Sequence, residues 1–191
     1  MVDVSSHLPA CKDKLQTNYP TKTTNMSRYR PVLLIAQSSQ AQILNLIALA
    51  GLVALFGIAI HAWFTLPDTI PIHFGFDGQA NGWGSKKNLW LLPIVGLAIY
   101  GLLTFISRYP HTFNYAVKIT EQNALQQYKI ACSMLNWLKT EMVWIFAYIE
   151  WQIFYLATTA NPNLGIWFLP VSLIIVFGTI GYWLSQSFLA R

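Results

Sequence analysis

Charge is scarce in this 191-residue chain: Asp, Glu, Lys and Arg make up 10% of it, against about a quarter in ordinary soluble domains. An ordinary soluble enzyme is excluded on that ground, because 54% of the residues are apolar, more than a core of this size would bury. Cysteine is nearly absent as well. Cys11 and Cys132 stand far apart and follow no metal-ligand spacing, so they read as free thiols rather than as a disulfide framework or a zinc site. Acidic residues number 7 against 12 Lys and Arg, giving a net charge of +5. No basic patch interleaved with aromatics accompanies that charge, so nucleic acid is not an expected partner. Glycine and proline are both missing from His111 to Ala160.

What is present is a series of long apolar runs. Ala41 to Phe64 has the roughly 20 apolar residues needed to cross a bilayer, within an uncharged gap from Arg30 to Asp68. A polar lead of some forty residues and the bulky Trp63, Phe64 and Leu66 make it a retained anchor rather than a cleaved signal. Leu89 to Ser107 is a second run, Met142 to Thr159 a third with Glu150 near its centre, and Gly165 to Leu184 a fourth without charge. The expected fold class is therefore an all-α membrane protein with four transmembrane helices. Lipid is the first expected partner.

Cation placement sets the expected orientation. Lys86 and Lys87 lie between the first two runs, whereas the other ten Lys and Arg lie before the first, between the second and third, or at the C-terminus. Short loops rich in Lys and Arg stay in the cytoplasm. Both termini are thus expected in the cytoplasm of a multi-pass inner (plasma) membrane protein, with Thr65 to Asn88 and Ala160 to Leu164 outside.

Between the runs, three further organisations emerge. Residues 1–40 form a basic tail without apolar periodicity, expected to be weakly ordered, and translation could start at Met1 or at Met26. Residues 41–107 group two spans around an outer loop, and residues 108–191 hold the rest. In the outer loop Ile70, Ile72, Phe74 and Phe76 alternate with Pro71, His73, Gly75 and Asp77, a strand period. Asp77-Gly78 and Asn81-Gly82 supply turn chemistry, so a hairpin-like lid is expected, its apolar face resting on the helix ends. Beyond His111, Ala124, Tyr128, Ala131, Leu135, Leu138 and Met142 recur every three or four residues. A helix from Glu121 to Thr159, with Thr120 at its cap, would be about 58 Å long. Its first half, with Lys118, Gln122, Gln126, Lys129 and Lys139, is then an amphipathic cytoplasmic extension, lying along the interface or projecting as a docking surface.

Two sets of residues could carry chemistry. Glu150, a carboxylate at mid-membrane, is either a proton or substrate site or a protonated group that hydrogen-bonds a neighbouring helix. His61, near the outer end of the first span, is the candidate relay or else a packing residue. Asp68, His73 and Asp77 could ligate a metal, but a strand-and-turn role suits their spacing better, and no metal or cofactor is expected. Ser85 lacks the His and Asp of a nucleophile triad, so catalytic residues are not assigned and the protein is read as a non-enzyme. Ligand contact in the outer loop is assigned to Asp68, Pro71, His73, Asp77, Trp83 and Lys86.

The segment Leu66-Pro67-Asp68-Thr69-Ile70-Pro71-Ile72-His73-Phe74, followed by Gly78, Gly82, Trp83 and Lys86, resembles the signature of a bacterial domain-of-unknown-function family shared with the SdpI immunity protein. A second motif, with Phe113, Asn114, Tyr115, Val117 to Glu121, Asn123 and Tyr128, is similar to the same family, with Ala116 where Pro is expected. The resemblance spans roughly Ile43 to Leu156. It implies an integral membrane protein whose unit is the outer loop and the first two spans. It also implies an immunity or signalling role, and the polar lid on one face with the basic helix on the other points to a ligand outside, such as a peptide, and a regulator inside. A small proton-coupled transporter using Glu150 is the alternative.

Overall fold

A computed structural model describes residues 30–33, 35–158 and 163–191. Most of the N-terminal tail, with Met26 and Cys11, and most of the turn 160–164 lie outside the described residues. The chain is mostly helical with one small sheet: α1 (Ser39–Thr65), β1 (Thr69–Phe74), β2 (Ala80–Ser85), α2 (Leu91–Ile106), α3 (Ala124–Ala157) and α4 (Phe168–Leu189). Single 3-10 turns precede α2 at Lys86–Trp90 and follow it at Pro110–Thr112.

Local chemistry explains the boundaries. The Ser38 hydroxyl accepts from the Ala41 amide at 3.2 Å and opens α1, and Pro67 forces Leu66 into extended backbone and closes it. The start of α3 is at Ala124, three residues later than Glu121. Thr120 and Asn123 bond each other first, the Thr120 amide donating to Asn123 Oδ1 at 2.9 Å and the Asn123 amide to Thr120 Oγ1 at 3.3 Å. The start of α4 is at Phe168 rather than Gly165, because Gly165 takes a left-handed φ of 85° that a helix cannot include.

The long helix is the centre of the fold. Parallel to it runs α1, with Leu44 at Thr140 and Ala62 at Ile153, while α2 and α4 run the opposite way. Thr104 of α2 meets Lys139, and along α4 Phe168, Thr179 and Ser187 meet Tyr148, Glu141 and Gln127. Lys86 and Lys87 thus lie at the hairpin end of the bundle, and Arg108, Lys129 and Arg191 at the other. Small residues let α1 approach closely: Ala48, Ala59 and Ala62 are fully buried with Gly51. Two apolar clusters form along the seam, Leu52, Leu55, Val143 and Ala147 in one, and Ala62, Leu66, Ile70, Leu89 and Ile153 in the other.

Among the described residues, three segments are long and apolar enough to cross a membrane: Ser39–Thr65, Lys86–Ile106 and Phe168–Leu189. They leave large apolar side chains bare, such as Leu46, Val53, Ile174 and Phe177, as lipid-facing helices do. Residues 142–157 of the expected third run lie in α3, which also carries Lys129, Lys139, Glu141 and Glu150. Its first half does not stand free. Gln127 donates to the Ser187 and Ala190 carbonyls at 2.9 Å, the Tyr128 hydroxyl to the Pro31 carbonyl at 3.2 Å, and Lys139 is buried. One face of this half packs on its neighbours while Lys118, Gln122, Gln126 and Lys129 stay exposed, as an amphipathic extension requires; Lys139 alone of the five is turned into the bundle.

Candidate functional site

The loop between α1 and α2 is an antiparallel hairpin seated on the helix ends. Its root is apolar: Ile70, 1% exposed, fills the cluster of Ala62, Leu66, Leu89 and Ile153. Beside it the Lys86 ammonium pairs with Asp68 at 3.0 Å and lies 5.4 Å from the Trp63 ring. The strict alternation expected from Ile70 to Phe76 does not hold. Pro71 pairs with Trp83 and His73 with Gly82, so Ile72 is the extra residue of a bulge. That extra residue turns Ile72 outward, and Phe76, in the turn, is 89% exposed. Asn81-Gly82 is not a turn but part of β2, where Gly82 leaves room for His73: a Cβ there would stand 2.9 Å from His73 Cβ.

The tip is fastened to the segment before α4. Gly78, with φ 78°, accepts from the Leu164 amide at 2.8 Å, and Gln79 bridges to Asn163. Of the six residues assigned to ligand contact, Trp83, His73, Asp68 and Asp77 are exposed, Lys86 is half-buried in its ion pair, and Pro71 is buried under the hairpin. His73 Nδ1 lies 2.5 Å from Asn81 Oδ1, while Asp77 Oδ1 accepts from the Gln79 amide at 3.0 Å. Asp68, His73 and Asp77 are not brought together. Among the described residues no three His, Cys, Asp or Glu side chains form a metal-sized group.

The second motif builds the opposite end. Tyr115 donates to the Pro110 carbonyl at 2.8 Å, its ring lies 5.6 Å from that of Tyr128, and the Arg30 guanidinium stands over it at 5.6 Å. Burial pushes the Tyr115 hydroxyl pKa well above the ordinary tyrosine value. Asn123 donates to the Lys118 carbonyl at 3.0 Å, and Asn114 is exposed. These residues tie the 108–123 connection to residues 30 and 31.

Inside the bundle, Glu150 is fully buried, and neither carboxylate oxygen has a hydrogen-bond partner among the described residues. The expected bond to a neighbouring helix is therefore not made. His61 is exposed on α1, its ring 5.0 Å from that of Phe154, and no hydrogen bond joins it to Glu150. A second carboxylate lies on the same helix: Glu141 accepts from the Thr179 hydroxyl at 2.5 Å and lines a cavity of about 620 Å³ between α3 and α4 with Trp144, Tyr148 and Phe168. The sequence reading passed over Glu141 because it falls one residue before the run assigned to the third span. Lys139 was missed as a buried group. Its ammonium donates to Asn45, to Thr104 Oγ1 at 3.1 Å and to Asn136 Oδ1 at 3.1 Å, and lies 5.0 Å from the Tyr100 ring.

Residues 50–97, which hold most of α1, the hairpin and the first part of α2, match the family described as a domain of unknown function, DUF1648. An uncharacterized protein of the archaeon Archaeoglobus fulgidus is 35% identical over 79 residues, 37% of this chain and 42% of that protein. The chain therefore matches less than half the length of this relative. No solved structure matches.

Proposed function

We propose that the chain is a non-enzymatic, four-span membrane protein whose hairpin engages an extracytoplasmic peptide, with both termini in the cytoplasm. One observation carries this reading: the hairpin is fixed at its root by Ile70 yet leaves Ile72, Phe76 and Trp83 bare on its surface. A rigid mount with exposed aromatics is what peptide capture needs, since pre-organisation lowers the ordering cost of binding and aromatics contribute most of the contact energy. The matched domain of unknown function contains the whole hairpin. The immunity or signalling role implied by the SdpI-type signature belongs to this reading, and the cytoplasmic regulator would meet the end built by Tyr115 and Tyr128. Selection of displayed peptides on the full chain in nanodiscs tests it. Peptides enriched on the wild type should lose about 10-fold or more in retention on Phe76→Ser/Trp83→Ser, a loss of some 1.4 kcal/mol. Absence of enrichment, or equal retention, overturns the reading.

The unpartnered burial of Glu150 favours a second reading, a proton-coupled transporter. On that reading Glu150→Gln abolishes uptake driven by a pH gradient while leaving the amount of protein in the membrane unchanged. Unaltered flux in the variant removes it.

A further inference from the structure

A cavity of about 710 Å³ opens at the end of the bundle opposite the hairpin, between the start of α1, the end of α2 and the first half of α3. Among the described residues its wall carries Arg108, Lys129 and Lys139, and no Asp or Glu. Lys139 is 1% exposed, and among the described residues no carboxylate pairs with it, the ion pair formed being Lys86 with Asp68. A cation in such a place leaves net positive charge uncompensated in a medium where charge interacts strongly.

The neighbours of Lys139 turn that charge into a set of donors. An ammonium only donates, so Asn45 and Asn136, which both line the cavity, must give it their carboxamide oxygens. Among the described residues their NH2 groups are left as unused donors. With the Arg108 guanidinium, whose fork matches a tetrahedral oxyanion, and the Lys129 ammonium, they surround the cavity with positive charge and N–H groups. A volume of this size exceeds a halide ion and suits a phosphate with substituents. The mouth lies where α1 begins and α2 ends, at the depth where bilayer phosphates stand if these helices cross.

We propose that this cavity binds a phosphate-bearing anion, held by Arg108 and Lys129 at the mouth and by Asn45 and Asn136, oriented by Lys139, within. The proposal does not depend on the peptide reading of the hairpin or on which end faces the cytoplasm.

The test uses the full chain in phosphatidylcholine nanodiscs, to which either phosphatidylglycerol or inorganic phosphate is added, with binding read by native mass spectrometry and by the shift in thermal unfolding. Arg108 and Lys129 are exposed, so Arg108→Gln/Lys129→Gln leaves the fold intact. The wild type should retain phosphatidylglycerol, or bind millimolar phosphate, about 10-fold more tightly than the double variant. Retention of phosphatidylglycerol undiminished by free phosphate identifies a lipid headgroup as the source; a response to phosphate alone identifies a soluble phosphate. Asn136→Leu should weaken the same binding without changing the exposed cations. Failure of both additions to bind, or equal binding by wild type and double variant, overturns the proposal.

Discussion

Gly51 and Val143 meet with no room for a methyl group between them: a Cβ on Gly51 would stand 2.8 Å from Val143 Cγ1 and 3.1 Å from Trp144 Nε1. Trp144 is itself held there, donating to the Ile47 carbonyl at 3.1 Å. Gly51→Ala therefore has to push α1 away from α3, at a cost of about 1–3 kcal/mol. Gly57 has nothing within 4 Å of its would-be Cβ, so Gly57→Ala should be neutral or stabilise by up to about 1 kcal/mol through helix propensity. Denaturant unfolding of both variants in one detergent checks the contrast, and equal stability would refute close α1–α3 contact at Gly51.

Gly78 holds the hairpin tip to the segment before α4. With φ 78°, and with Asn163 Oδ1 at 2.7 Å and the Gly165 amide at 2.8 Å from its would-be Cβ, it has neither the conformation nor the space for a side chain. Gly78→Ala should cost about 1–3 kcal/mol locally and expose the Leu164 amide, which donates to the Gly78 carbonyl. Faster hydrogen exchange at Leu164, with exchange in α1 unchanged, is the expected result.

The orientation can be read by thiol labelling. Lys87 is exposed, and its removal takes a cation from the end that holds the fewest, so Lys87→Cys should not disturb the topology. In a Cys11→Ser background, an impermeant maleimide should modify Lys87→Cys on intact cells. Cys132 serves as the internal control. Its thiol lies 3.4 Å from the Ser107 carbonyl, and burial pushes its pKa up to about 11, so little thiolate is present near neutral pH and reaction is slow. Modification of Lys87→Cys only after lysis would place the hairpin in the cytoplasm.

The helices and the hairpin were legible because their signals are local. Apolar runs of bilayer length, the alternation at Ile70 to Phe74 and the unbroken stretch from His111 to Ala160 each depend on neighbours in sequence. What escaped depends on register between distant segments. The bulge at Ile72 is decided by pairing with β2, and it turned Ile72 outside. Lys139 read as a solvated cation because its partners are Asn45 on α1 and Thr104 on α2, 94 and 35 residues away. Asn45 itself was hidden in a run that hydropathy describes as apolar. Glu150 was evident by type, while its lack of a partner required the geometry of the whole seam.

One helix carries both Ile153, beneath the hairpin root, and Lys139, at the wall of the basic cavity. Fourteen residues separate them, about 21 Å of helix without a glycine or proline at which it could hinge. Such a strut does not bend at its middle, so a tilt imposed beneath the hairpin is transmitted undivided to the far end. The two ends of the molecule are thereby mechanically one part.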